Sequence, residues 1–196
     1  MAEGKVGTGF SCPWVAKYTA DGTTVTYSDA MRLARGVSVS ISPEVSDSEV
    51  FYADNVEAEE ESGTFTGGSV KLTVDGLLQA AEQFVFGLSD ADDDGFVGYG
   101  SSSSAPYVGI GFIRRYKSDG VDLYTPCILT KTKFVPGDEE AETAEAEVSW
   151  QTQELTANLF RDATENRNWK MVGSDYTTES EAEEVIKTRF NYSESE

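Results

Sequence analysis

Two short segments with strictly alternating side chains constrain the fold of this chain more than any other feature. Apolar and polar residues alternate in "GVSVSIS" (Gly36 to Ser42) and again in "SVKLTV" (Ser69 to Val74). Because successive side chains of a β-strand point to opposite faces, each segment predicts a strand with one apolar and one polar face. Such strands are typical of antiparallel sheets that pack one face on a core. The apolar positions are Val37, Val39, Ile41, Val70, Leu72 and Val74, and the polar positions are Ser38, Ser40, Ser42, Ser69, Lys71 and Thr73.

Most of the remaining chain also has strand character. "PYVGIGFIRRY" (Pro106 to Tyr116) is rich in β-branched and aromatic residues, and Asp119-Gly120 then predicts a hairpin turn into "VDLYTPCILTKTKF". Asp21-Gly22 predicts a second hairpin near the start of the chain. A further strand is expected over "EAEVSWQTQELTANLF", where Ala146, Val148 and Trp150 alternate with Glu145, Glu147, Ser149 and Gln151. The sequence therefore predicts a mainly β (α+β) fold.

Two segments have helical spacing instead. Leu77 to Leu88 is expected to form a helix capped by Asp75, ended by Gly87 and buried through Leu78, Ala81, Phe84 and Val85. "TESEAEEVIK" begins with a capping box from Thr178 to Glu181. Its apolar stripe is thin, so we expect a surface helix, and we expect the segment from about 174 to 196 to be dispensable for the core.

Composition excludes several classes of function. The 196 residues, 39% of them hydrophobic, are most simply one domain spanning 1–196. The formal net charge of −20 argues against a conventional duplex-binding protein, which needs a basic surface for the phosphates. The chain contains no histidine, so mechanisms that need a histidine base or metal ligand are excluded. We expect no catalytic residues, no cofactor and no enzymatic activity.

Cys12 and Cys127 lie among apolar and aromatic neighbours and have no zinc or CxxC spacing, so buried free thiols are expected. The sequence has no apolar run of the length of a signal peptide or a membrane span, which predicts folding in a cytoplasm.

Acidic residues are concentrated in three runs, Asp54 to Glu61, Asp90 to Asp94 and Asp138 to Glu147, none of which contains lysine or arginine. The first run lies in a long connection, from about Ser46 to Ser69. A connection of this length in a compact β domain is often functional. Because it carries the aromatic residues Phe51, Tyr52 and Phe65, we expect an arm that contacts another subunit or ring.

The middle run resembles half of a calcium-binding loop. Asp90, Asp92 and Asp94 occupy alternate positions before Gly95, as in an EF-hand. The last loop position is Ser101 instead of a bidentate glutamate, and "GYGSSSSAPY" cannot form the second helix. A solvated loop between helix and strand is therefore expected.

The order of these segments resembles the major tail protein family of long non-contractile-tailed bacteriophages, whose members form the tail tube. Three stretches between about Val37 and Gly173 carry the resemblance: "RGVSVSISPEVSDSEVFYADNVEAEEESGTFTGGSVKLTVDGLLQAAEQFVFGL", "APYVGIGFIRRYKSDGVDLYTPCILTKTKF", and "SWQTQELTANLF" followed by "NWKMVG". The acidic segment after Gly173 departs from the pattern.

The resemblance implies a β-sandwich or half-barrel with one flanking helix, to which the short C-terminal helix is added here. Six copies would close a ring, and stacked rings would form a tube in the virion that conducts DNA into the host cell without binding it specifically. The partners implied are further copies of the chain and the tape measure, terminator and distal tail proteins, with no membrane involved.

A tube wall that lets DNA pass should be negative and poor in lysine and arginine. The polar strand faces are the candidates for it: Ser38, Ser40, Ser42, Glu145, Glu147, Ser149 and Gln151. Lys71 conflicts with this expectation unless an acid pairs with it. Two alternatives stay open, a head-tail connector or tail terminator ring protein and a calcium-binding β-sandwich adhesion module.

Overall fold

The computed structural model describes residues 4–53, 56–61, 63–101, 103–137, 143 and 150–193, with the backbone alone described for the strands between 49 and 61. The prediction of a mainly β fold is confirmed. The strands are β1 (Val6–Asp21), β2 (Thr24–Arg32), β3 (Gly36–Val45), β4 (Glu49–Ala53), β5 (Val56–Glu61), β6 (Phe65–Val74), β7 (Val108–Ser118), β8 (Val121–Val135), β9 (Gln153–Phe160) and β10 (Lys170–Val172), and the helices are α1 (Gln79–Phe86) and α2 (Glu179–Arg189).

One antiparallel sheet organises the chain. Its strands follow the order β2-β1-β7-β8-β9-β6-β3, and β10 pairs with β8 as the eighth strand. The hairpins predicted at Asp21-Gly22 and Asp119-Gly120 are confirmed as the β1–β2 and β7–β8 connections. The strands β4 and β5 form a separate two-stranded sheet.

The large sheet curls so that its two halves share one core. The first half (β2, β1, β7 and β8) and the second half (β9, β6 and β3) contribute to the same apolar cluster, which α1 also joins. The start of β3 approaches β1 closely, because an added Cβ on Gly36 would lie 2.2 Å from the ring of Phe10. The buried members include Val15, Leu33, Val70, Leu72, Ile110, Phe112, Leu129, Phe134, Leu155 and Leu159.

A second apolar cluster lies on the outer side of the first half, under α2. Phe190, directly after the helix, is fully buried, as are Ala182 and Ile186. Trp14 and Ile113 pack in the same cluster. The burial of Ala182, Ile186 and Phe190 argues against the expectation that the segment from about 174 to 196 is dispensable for the core. The thin apolar stripe of α2 covers a sheet surface made of residues distant in sequence.

Thr178 caps α2 as predicted, since its hydroxyl accepts a hydrogen bond from the Glu181 amide at 3.3 Å. The Glu181 carboxylate accepts from the Thr178 hydroxyl, at 2.8 Å, instead of from the Thr178 backbone N–H. The start of α1 differs from the prediction. This helix begins at Gln79, and Leu78, expected in the core, is 79% exposed.

Asp75 does not cap α1. It accepts hydrogen bonds from the backbone N–H and the guanidinium of Arg35, and these contacts lower the pKa of its carboxyl group. Gly87 ends α1 in the left-handed conformation, as predicted. Phe84 is only half-buried, whereas Ala81 and Val85 are fully buried.

Both cysteines are free and buried, as predicted. Burial, reinforced by Glu183, raises the pKa of the Cys12 thiol to about 11. No helix in the described part of the chain combines the length and apolar character needed to cross a membrane.

Candidate assembly surfaces

The second half of the sheet exposes a surface of small polar side chains, here called the polar sheet face. The register aligns the predicted serines of β3 with Thr73, Lys71 and Ser69 of β6, which in turn face residues of β9. Ser38 donates a hydrogen bond to Thr73 across the strands, at 2.9 Å. The polar sheet face consists of Ser38, Ser40, Ser42, Glu44, Ser69, Lys71, Thr73, Glu154, Thr156 and Asn158.

The alternation predicted from 145 to 151 lies mostly outside the described residues. Glu145, Glu147 and Ser149 lie outside the described residues, and Gln151 precedes β9, which starts at Gln153. Trp150, expected on the apolar side, is 89% exposed. The β9 residues that join the polar face were missed, although the alternation of "QELTANL" with its buried Leu155, Ala157 and Leu159 carries the signal.

Val37 also departs from its expected position in the core, being 54% exposed. The pairing of β3 with β6 shifts register between Gly36 and Ser38, so the alternation reaches the core only from Val39 onward. A β-bulge of this kind is not visible in the alternation of the sequence.

Lys71 on the polar sheet face is paired with an acid. Its ammonium lies 2.9 Å from the Glu154 carboxylate on the neighbouring strand. Both side chains are more than half exposed, so the pair contributes little to the free energy of unfolding. Its consequence is a local cancellation of charge on the polar sheet face.

A cationic cluster, here called the lysine-tyrosine patch, adjoins this face on β8. Lys131 and Lys133 pair in register with Phe160 and Asn158 of β9. The Lys131 ammonium lies 4.3 Å, and the Lys133 ammonium 5.5 Å, from the centre of the Tyr107 ring. Phe160 packs edge-on against the same ring, at 5.5 Å between centroids. Sequence reasoning missed this patch, because Tyr107 meets the lysines only through the pairing of β7 with β8.

The long connection after β3 is a hairpin instead of an irregular loop. Ser46 and Thr64 continue the ladder between β3 and β6, through a hydrogen bond of 2.9 Å from the Ser46 N–H to the Thr64 carbonyl. The strands β4 and β5 follow, and we call residues 46–63 the arm. Phe51 and Tyr52 lie in β4.

Phe65 does not belong to the arm. It opens β6 and stacks on Trp169, with 4.8 Å between centroids and 2° between the ring planes. The Arg161 guanidinium also donates to the Phe65 carbonyl oxygen. Phe65 therefore fixes the root of the arm to the body, and its contact with another subunit stays a prediction.

The two outer strands of the large sheet have open edges. Among the described residues, β2 pairs with β1 alone and β3 with β6 alone. Pro43 lies in β3, and a proline without an N–H donor is typical of an edge strand.

In the acidic loop after α1, one carboxylate forms hydrogen bonds with the backbone of the same loop. Asp92 accepts hydrogen bonds from the backbone N–H groups of Asp94 and Phe96, at 3.1 and 2.8 Å. In the described ranges, no three histidine, cysteine, aspartate or glutamate side chains converge on a position suited to a metal ion.

Comparisons with known proteins identify no family. The chain matches no protein-family model, and no curated protein sequence matches it significantly.

Proposed function

We propose that this protein is a structural subunit of a phage tail tube, which assembles into stacked hexameric rings that conduct DNA into the host cell. The observation that carries the proposal is the second half of the sheet, which has an apolar face in the core, an exposed polar face and an open edge at β3. Such a half-sheet is suited to form one section of a continuous wall.

Open edges favour closure into a ring. An exposed strand edge presents unpaired N–H and C=O groups to other chains, and a closed barrel pairs all of them. The edges at β2 and β3 lie at opposite ends of the strand order, so pairing between copies is head-to-tail. A head-to-tail contact that closes after six copies gives the proposed ring.

The side chains of the polar sheet face suit the passage of DNA. Serine, threonine and asparagine offer no cation to a phosphate, and Lys71 is matched by Glu154. With Lys131 and Lys133 on the adjoining strand, the surface carries three lysines against the two glutamates Glu44 and Glu154. These groups leave one more positive than negative charge, whereas the sequence predicted a negative wall. The proposal therefore requires that acidic groups from elsewhere cover Lys131 and Lys133.

The proposal is tested by self-association of the purified chain at increasing concentration. We expect six-fold rings or tubes in negative-stain electron microscopy and a hexamer or larger species in analytical ultracentrifugation. A variant with Thr73 and Thr156 replaced by lysine changes only inner strands of the polar sheet face, so it should assemble while retaining DNA added during assembly. A chain that remains monomeric at every concentration and salt level contradicts the proposal. Single rings that never stack favour the connector or terminator alternative.

A further inference from the structure

The lysine-tyrosine patch sets two cations two residues apart on one strand, in a chain with a formal net charge of −20. Seven other lysine and arginine side chains form ion pairs with carboxylates, and others, such as Arg114 and Lys170, have no ion pair within the described residues. No carboxylate of the described residues lies within 4.0 Å of the ammonium of Lys131 or Lys133, and both contact aromatic rings instead. The patch therefore offers two cations to an external acidic group.

The arm has the opposite character. Residues 46–63 contain seven aspartates and glutamates and no lysine or arginine. Its strands β4 and β5 pair with each other in a sheet of their own. An isolated two-stranded hairpin is at best marginally stable in water, so the arm gains stability by packing against another surface.

We propose that the acidic strand β5 of one copy docks on the lysine-tyrosine patch of a second copy. This inference rests on the proposed self-assembly and names the contact that the arm makes. The carboxylates of the arm would pair with the Lys131 and Lys133 ammonium groups beside the partly exposed Tyr107 ring.

The charged residues of β5 and β8 have the same spacing along their strands. Lys131 and Lys133 are two residues apart on β8, and Glu59 and Glu61 are two residues apart where β5 pairs regularly with β4. Two residues of a β-strand span about 6.6 Å, so both pairs of positions have the same separation along their strands. Two ion pairs can therefore form together when the strands lie side by side.

The geometry favours a second copy over the same chain. The arm continues the β3–β6 hairpin through the Ser46–Thr64 ladder, past the end of the large sheet. The patch lies on the sheet surface, with β9 between its strand β8 and the root strand β6. Among the described residues, the arm strands pair with each other and with no strand of their own large sheet. The register places the arm root and the patch at the same end of the sheet, so in a ring the arm of one copy would lie level with the patch of its lateral neighbour.

Charge also favours the arm over a nucleic acid as the occupant. A chain of net charge −20 repels a polyanion, and two lysines replace few counterions. Lys131 and Lys133 lie beside the polar sheet face and have no carboxylate partner among the described residues. Docking of the arm would cover both, so that the phosphates of passing DNA would not contact them.

The test is a charge exchange, read by sedimentation and electron microscopy. Lys131→Glu with Lys133→Glu, or Glu59→Lys with Glu61→Lys, places like charges opposite each other and should weaken association by at least about tenfold. A chain that carries all four substitutions should associate to within about threefold of the parent. Thermal melts of each variant check that the body stays folded.

Glu139→Lys with Glu140→Lys is the matched control, because it makes the same charge change outside the arm. It should leave association within about threefold of the parent. If it weakens association as strongly as the arm exchange does, the patch binds the acidic run after β8 and the inference is wrong. A labelled oligonucleotide that binds the parent but not Lys131→Glu with Lys133→Glu would instead identify a nucleic-acid site and contradict the inference.

The remaining outcomes separate this inference from the proposed function. Rings that form equally well in all variants keep the proposed function and refute the docking. A parent that forms dimers but no rings is a separate outcome. If each double substitution weakens these dimers and the fourfold variant restores them, the docking is supported and the tube is refuted. Failure of the fourfold variant to associate while folded refutes the docking, and a strictly monomeric parent refutes both.

Discussion

The two halves of the curled sheet share one core but differ in what covers their outer sides. In the first half, β7 is buried continuously from Val108 to Ile113 and β8 from Thr125 to Thr130, because α2 covers the side opposite the core. In the second half, β6 alternates between the buried Val70, Leu72 and Val74 and exposed or half-exposed polar residues. Alternating apolar and polar residues thus indicate a strand with one covered face, and a continuous apolar run indicates a strand covered on both faces.

The covered half uses glycine at the positions that face α2. An added Cβ on Gly111 would lie 2.5 Å from the Ile186 methyl group, and one on Gly109 would lie 2.6 Å from the Tyr27 ring. The absence of side chains at these two positions lets Ile186 and Phe190 approach the sheet. The covered half therefore buries both faces of its central strands, and the open half leaves one polar face exposed.

Removal of α2, the helix that covers the first half, should destabilise the fold more than any other change. Truncation before Ser174 uncovers Trp14, Ile113 and Ile128 and leaves the first half with one open apolar face. We expect loss of the cooperative thermal transition and binding of a hydrophobic dye. A chain ending at Ser193 keeps Phe190 and serves as the control. A cooperative melt of the truncated chain near the parent's midpoint would show that α2 is an accessory element.

Phe190→Ala should have the next largest effect. Its ring is fully buried, so truncation to alanine should lower the free energy of unfolding by about 3–5 kcal/mol. Phe84→Ala removes an equal volume from the half-buried face of α1 and should cost clearly less. Chemical denaturation of both variants measures the difference. Equal losses would contradict the assignment of Phe190 as the main anchor of the covered half.

Gly111→Ala tests close packing under α2. The added methyl group meets Ile186 and Phe190, so we expect a loss of about 1–3 kcal/mol in the free energy of unfolding. Gly67→Ala is the matched change in the open half, where the nearest neighbour of the new methyl group is the Leu159 carbonyl oxygen at 3.8 Å. Denaturant titrations should show little change for Gly67→Ala. A greater loss there than at Gly111 would reverse the comparison.

The smallest effect concerns pH. Asp175 lies between β10 and α2, and hydrogen bonds from Lys5 and then Thr125 lower the pKa of its carboxyl group. A lowered pKa gives stability that is complete above the ordinary aspartate range and is lost as the pH falls through that range toward the folded-state pKa. Asp175→Asn should therefore flatten the acid limb of the denaturation midpoint, measured from about pH 5 to pH 2. An acid limb as steep as the parent's would show that Asp175 contributes nothing to this dependence.

The sequence by itself determined the features that depend on near neighbours in the chain. The Asp21-Gly22 and Asp119-Gly120 turns, the helix cap at Thr178 and the alternation of Val70, Leu72 and Val74 all lie where predicted. Each of these depends on backbone preferences or side-chain periodicity within a few residues. Together, these local features predict the mainly β fold.

The tertiary structure alone decided which surfaces are covered and which side chains meet. The thin apolar stripe of α2 is buried because it packs on β1, β7 and β8. Phe65 is held at the root of the arm because its ring stacks on Trp169. Tyr107 meets Lys131 only where β8 lies beside the start of β7. These contacts join residues far apart in the chain, and apolar or ionic attraction does not depend on sequence separation, so no local pattern of residues records them.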